Sequence, residues 1–240
     1  MRLLIIRHGD PDYSIDSLTA KGKREAELLS LRMEKENVTA FYLSPLGRAQ
    51  ATARYTLDRM GREGETLDWL KEFFSAPVHK PDGVDDCAWD WLPRDLTAYP
   101  DFFDREKWMH HPALCDAGVP EEYRYVCDGL DALLARHGYV REGDLYRAVR
   151  PNRDTIVFFC HFGLECVLLS HLINVSPMVL WHGFCAAPTS VTTVYTEERE
   201  EGFAYFRTAA FGDVSHLYAY GEKPAFSARF CETFDSDERH

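Results

Sequence analysis

The 240-residue sequence has no apolar run of transmembrane length. Its N-terminal run, Leu3 to Ile6, stops at Arg7, too short for the apolar core of a signal peptide. No CxxC pair occurs among its seven cysteines (Cys87, Cys115, Cys127, Cys160, Cys166, Cys185 and Cys231), and the number is odd. A disulfide framework is therefore not expected, and a soluble, cytoplasmic protein with reduced thiols is. Positive charge is scarce: 27 Lys and Arg face 39 Asp and Glu, a net charge of -12. Counterion release needs a basic surface, so neither a nucleic acid nor an acidic membrane is an expected partner. There are no internal repeats and no low-complexity tracts. The cluster His79, Asp82, Asp85, Asp86 and Cys87 matches no standard ligand spacing, so no metal is expected. Nothing in the composition opposes a homo-oligomer.

What is present is an ordinary globular chain, long enough to bury a full core. Leu3 to Ile6 reads as a buried strand. Leu18-Thr19 opens a helix with Gly22, Ala26, Leu29 and Met33 on one face. Ala40 to Leu43 is a second strand; Ser44-Pro45 should start the next helix, with Ser as cap and Pro in the first turn. Asp154 to Cys160 is β-branched and aromatic, and passes through His161-Phe162-Gly163 into an amphipathic helix bearing Leu164, Val167, Leu168, His171 and Leu172. Ser190 to Thr196 and Phe203 to Ala209 read as strands around a charged turn. Strands alternating with helices predict a three-layer α/β/α sandwich with a mostly parallel sheet. Between them, Ala76 to Pro120 holds three of the five tryptophans and many prolines without sustained period. A cleaner helix, Glu121 to His137, follows. Residues 76–152 are thus expected to form an insertion or cap on a single domain spanning 1–240.

Three segments share one design, a strand followed at once by polar residues. They are Ile6 into Arg7-His8-Gly9, Leu43 into Ser44-Pro45-Leu46-Gly47-Arg48, and Cys160 into His161-Phe162-Gly163. Ligand sites in open parallel sheets gather beyond the carboxyl ends of strands. If these strands are neighbours, two His and two Arg converge. Arginines can neutralise phosphate oxygens while an imidazole attacks, without a metal. Gly9 and Gly163 would let backbone amides approach the anion.

Leu4-Ile5-Ile6-Arg7-His8-Gly9 resembles the RHG signature of the histidine phosphatase superfamily, which includes the cofactor-dependent phosphoglycerate mutases. Leu18-Thr19-x-x-Gly22-x-x-x-Ala26 is similar to the first helix of that family. Ser44 to Ala53 is similar to its second motif, and His161-x-Gly163 to its second histidine motif. Pro188-x-Ser190-Val191-Thr192 and Asp213 to Leu217 resemble its closing segments. A three-residue string alone is weak; these pieces in order, each after a strand, carry weight. The resemblance implies that His8 is the nucleophile and that Arg7, Arg48 and His161 bind the phosphoryl oxygens. It places the leaving-group acid near Leu70-Lys71-Glu72-Phe73, hence Glu72, with Asp82 and Asp85 as rivals. It implies no cofactor, and a small phosphorylated substrate.

The pattern is departed from twice. Ser14 stands where the family often has a phosphate-binding Asn, and a hydroxyl can still donate there. The usual Gly-x-Trp-Glu-Gly segment after the acid is replaced by Phe73-Phe74-Ser75-Ala76. A metal-free phosphomonoesterase is the preferred function. A phosphoglycerate-type mutase is the alternative within the same chemistry, disfavoured because the Glu-Arg-His-Tyr-Gly stretch of such mutases has no counterpart. A silent phospholigand-binding module is the alternative from another class, and would be expected to lose His8 or an arginine. His216 is expected to be structural, and His110-His111 a solvated pair.

Overall fold

In a computed structural model, residues 1–226 and 235 are described; Cys231 lies outside them. The main sheet comprises β1 (Arg2–Arg7), β2 (Ala40–Leu43), β3 (Glu65–Thr66), β4 (Tyr139–Glu142), β5 (Leu145–Ala148), β6 (Thr155–Cys160), β7 (Val191–Glu200) and β8 (Phe203–Asp213). Their spatial order is β3-β2-β6-β1-β7-β8-β5-β4. The first four are mutually parallel. From β1 outward through β7, β8, β5 and β4 every pairing is antiparallel. The expected parallel sheet is thus the core of a mixed one. The outer half consists of hairpins, and short turns can join only antiparallel neighbours.

Alternation along the strands divides the core. Leu3, Ile5, Ile156 and Phe158 enter one apolar cluster, with α3 (Val119–Arg136) and α4 (Phe162–Ile173). Leu4, Ile6, Val157 and Phe159 enter the other, with α1 (Ala20–Met33) and α2 (Gly47–Met60). Central parallel strands are apolar throughout because both faces are covered, and the result is the expected three-layer sandwich. α1 opens after Thr19, as expected, and Thr19 caps it by accepting from the Gly22 amide.

Two boundaries differ from expectation. Ser44 does not cap α2, which starts at Gly47 after Leu46. Its amide still donates to Phe159 of the sheet, and its hydroxyl is engaged by His161 and the Leu46 amide. The expected insert at 76–152 has two parts. Up to Gly118 it holds only a two-residue hairpin, Val78–His79 with Asp85–Asp86, and short helical turns. From Val119 on, α3 packs beside α4, while β4 and β5 complete the edge of the main sheet. Val78, Trp91, Phe102, Trp108 and Leu114 of the first part join the core beneath α4. Among the described residues no helix is long and apolar enough to cross a membrane.

Candidate active site

Register brings the site together. Arg7 pairs with Cys160 across β1 and β6, and Phe159 pairs with Leu43 across β6 and β2. The three strands end level, so His8, His161 and Ser44 leave the sheet side by side. The His8 and His161 ring centroids are 5.1 Å apart. Both rings are buried, as is the Arg7 side chain.

The His8 tautomer is set by its own backbone. Nδ1 lies 2.8 Å from the Gly9 carbonyl oxygen, which can only accept, so Nδ1 carries the proton. Nε2 keeps its lone pair and accepts from Arg48 Nε at 3.3 Å. Burial, then Arg7 and Arg48, hold the His8 pKa well below the usual imidazole value. A neutral ring with a free lone pair facing cations is a nucleophile for an anionic phosphate.

His161 is fixed from the opposite side. Its Nε2 lies 2.8 Å from Ser44 Oγ, while its buried Nδ1 has no partner in the protein. With Ser44 donating to Nε2, Nδ1 bears a hydrogen aimed at no protein acceptor. An unsatisfied buried donor is costly unless a ligand takes it. Burial and then His8 hold this ring well below its usual pKa also, so it would donate as a neutral imidazole.

Arg7 NH1 donates to the Ala186 carbonyl at 2.5 Å. Burial lowers the pKa of its guanidinium. Arg48 donates from NH1 to Asp16 Oδ1 at 2.7 Å, and its guanidinium lies over the Tyr13 ring. The other Asp16 oxygen accepts from the Gly47 amide at the start of α2. Asp16 therefore holds both the arginine and the helix that carries it.

Glu72 lies against the same helix as His161. Its Oε1 accepts from the Phe73 amide at 2.8 Å and from the Leu164 amide at 3.0 Å. The second bond caps the first turn of α4 with a carboxylate from a distant segment. Oε2 is left to carry a proton. Burial raises its pKa above the ordinary carboxyl value, against the lowering pull of these two amides and the arginines. Gly163 is required by this approach: a Cβ there would lie 2.8 Å from Glu72 Oε1 and 2.7 Å from Trp89 Nε1. The rivals sit elsewhere. Asp85 pairs with His79 across an exposed hairpin, and Asp82 accepts from the Val84 amide in its turn.

Two expected phosphate contacts are otherwise engaged. The Gly9 amide donates to Thr52 Oγ1 at 2.9 Å. A Cβ at Gly9 would lie 2.8 Å from the Gly22 carbonyl, so this glycine serves helix packing. Ser14 is exposed, its hydroxyl donating to Asp12. His216 is buried with Nε2 3.2 Å from Thr189 Oγ1. The Thr189 amide in turn bonds the Arg7 and His8 carbonyls, so His216 braces the turn beneath the nucleophile. His111 is not a solvated residue: its ring packs on Trp91, Tyr99 and Phe102 and its Nδ1 accepts from the Ala113 amide.

Sequence reasoning missed Ser44 as the partner of His161, Asp16 as the partner of Arg48, and Glu165. Glu165 is buried in α4, where desolvation pushes its carboxyl up to about 8, offset by the Thr192 hydroxyl and Arg7. A lone acid inside the run Leu164 to Leu172 was its only signal.

Residues 3–84 match the model of the histidine phosphatase superfamily (branch 1). No curated protein matches the chain. Among solved structures, a mutant of phosphoserine phosphatase from Entamoeba histolytica, in complex with phosphoserine, superposes with a TM-score of 0.60 at 19% identity. That match covers 90% of this chain and 98% of the other. A mycobacterial glucosyl-3-phosphoglycerate phosphatase bound to VO3 gives 0.55 at 19% identity, over 88% and 98% of the two chains. An Escherichia coli protein proposed as an alpha-ribazole-5'-P phosphatase gives 0.57 at 21%, over 89% and 97%. At these identities the likenesses establish a shared fold.

Proposed function

We propose that this chain, whose residues 3–84 match the model of the histidine phosphatase superfamily (branch 1), hydrolyses phosphomonoesters through a phosphohistidine on His8. The observation that carries the reading is the His8 ring, whose Nδ1 is bound to Gly9 and whose Nε2 lone pair faces Arg48. A phosphoryl group beside Nε2 would meet the Arg7 and Arg48 guanidinia and the unpartnered His161 Nδ1. All are preorganised, so charge developing on the phosphoryl oxygens meets donors already in place.

In the first step the Nε2–P bond forms and the P–O ester bond breaks. Glu72 gives its proton to the departing alkoxide, and the alcohol leaves. In the second step water attacks the phosphorus, Glu72 takes a proton from it, and the Nε2–P bond breaks to release inorganic phosphate. One carboxyl serves both directions because its raised pKa suits an acid and its ionised form a base. Asp16 and Ser44 hold Arg48 and His161 in position. No step calls for a metal ion.

Two measurements on one sample test this. Phosphate release from a panel of phosphomonoesters should persist with chelator present. Rapid quenching should trap labelled enzyme that survives base and loses its label in acid, as a phosphoramidate does. An acid-stable phosphoenzyme, or activity abolished by chelator, would overturn the proposal.

A further inference from the structure

Beside Trp89 the molecule holds a cavity of about 560 Å³, walled also by Trp91, Trp181 and Phe184. Two contacts join it to the chemistry. Trp89 Nε1 and Glu72 Oε1 crowd the same point beside Gly163, where a Cβ would lie within 2.8 Å of both. On the other wall Cys185 immediately precedes Ala186, whose carbonyl holds the Arg7 guanidinium. Through Trp89 and Cys185 the walls of the cavity thus adjoin the proton donor and the turn that holds the phosphate-binding arginine.

Its polar groups are few. Both nitrogens of His182 are occupied, Nδ1 by the Met178 carbonyl at 2.8 Å and Nε2 by the Trp91 amide at 3.1 Å. Burial also holds that ring below its usual pKa, so it braces the wall as a neutral imidazole. The nearby Lys80 ammonium is bonded to the Asp90 backbone carbonyl. Among the lining residues the one carboxylate is that of Asp90, which is exposed.

We infer that this cavity receives the leaving alcohol, and that the alcohol is a bulky aromatic or apolar one bearing no negative charge. This rests on the phosphatase reading: if Glu72 protonates the ester oxygen, the organic group must emerge beside Glu72, against Trp89. Indole faces gain by removing apolar area from water. A carboxylate or second phosphate on the alcohol would meet Asp90, no free cation among the described lining residues, and a chain of net charge -12. Phosphoglycerates and bisphosphates are thereby disfavoured as substrates.

The test compares kcat/KM for 2-phenylethyl phosphate, glycerol 3-phosphate and 3-phosphoglycerate. In parallel, 2-phenylethanol and glycerate are titrated into the intact chain by tryptophan fluorescence. The aromatic ester should exceed both others by tenfold or more, and 2-phenylethanol alone should perturb the fluorescence saturably. Asp90→Lys should narrow the gap to 3-phosphoglycerate at least tenfold, and Phe184→Ala should raise KM for the aromatic ester more than it lowers kcat. Equal or better turnover of 3-phosphoglycerate, or a preference indifferent to Asp90→Lys, overturns the inference. Saturable binding of 2-phenylethanol with no turnover of any ester would sink the phosphatase reading and leave the preference of the cavity intact. Neither binding nor turnover would sink both.

Discussion

Along the edge where β1, β2 and β6 end, His8, Ser44 and His161 are placed by backbone register, and both His8 nitrogens and His161 Nε2 have fixed partners while His161 Nδ1 is left for a ligand. Between Phe73 and Gly118 the chain has only a two-residue hairpin and short turns, held by ring-on-ring packing of Trp91, Tyr99, Phe102 and His111. Hydrogen-bond ladders fix atoms to tenths of an ångström, which transition-state stabilisation needs. Apolar packing fixes volume and tolerates exchange of side chains, which suits a pocket that selects by shape. One region is built for chemistry and the other for choice. Glu72 stands where they meet.

The largest effect should come from His8→Ala. If the edge is a covalent catalyst, turnover should fall on the order of 10⁶-fold, as when other enzymes lose a nucleophile. The variant should also yield no acid-labile phosphoenzyme. Retention of substantial turnover would remove the chemical role of the edge.

Glu72→Gln should cost about 10²–10⁴-fold on alkyl phosphates, and much less on aryl phosphates that leave without a proton. The pH profile carries the sign. Activity of the free enzyme needs neutral His8 and protonated Glu72. It should therefore fall in acid only below the ordinary imidazole range, as His8 gains its proton. It should fall on the alkaline side above the ordinary carboxyl range, as Glu72 loses its own. In Glu72→Gln the alkaline limb should vanish. Equal losses on alkyl and aryl esters would instead leave Glu72 as the cap of α4 alone.

Arg48→Ala should lose about 2.7–4 kcal/mol of transition-state stabilisation, mostly in kcat. Arg48→Lys should recover part of it, since a point charge cannot hold both Asp16 and a phosphate oxygen in fork geometry. Near-normal kinetics in the alanine variant would contradict the placement.

Leu114→Ala probes the other region. It should lower unfolding free energy by about 2–5 kcal/mol, measured by denaturant titration. Turnover of a small ester below the melting range should hardly change. A collapse of turnover in the folded variant would mean that the insert, and not register alone, sets the catalytic geometry.

The smallest effect should come from Ser44→Ala. It removes one hydrogen bond, worth about 1 kcal/mol net, and frees the His161 tautomer. Loss of about tenfold in kcat with little change in KM would sharpen the distinction between a positioning contact and a binding one; an unchanged kcat would refute it.

By itself the sequence determined the local elements and the chemistry they carry. Leu3–Ile6, Ala40–Leu43 and Thr155–Cys160 are too apolar for anything but covered strands, and Arg7-His8, Arg48 and His161 follow them within five residues. Short-range physics suffices there, because burial and turn geometry act on neighbours in the chain. The opening of α1 at Thr19 was legible for the same reason, whereas Glu72 was reached through family resemblance alone. Tertiary structure decided the partnerships. Ser44 with His161, Asp16 with Arg48 and Glu72 with the Leu164 amide join residues 117, 32 and 92 positions apart. It also decided that Ser44 would serve a histidine and not a helix, and that the Gly9 amide would serve Thr52. It decided, too, that Val119 to Ala148 would complete the sandwich and not cap it. Such outcomes depend on which buried donor most lacks an acceptor once the chain has closed, and that need arises only in the folded core.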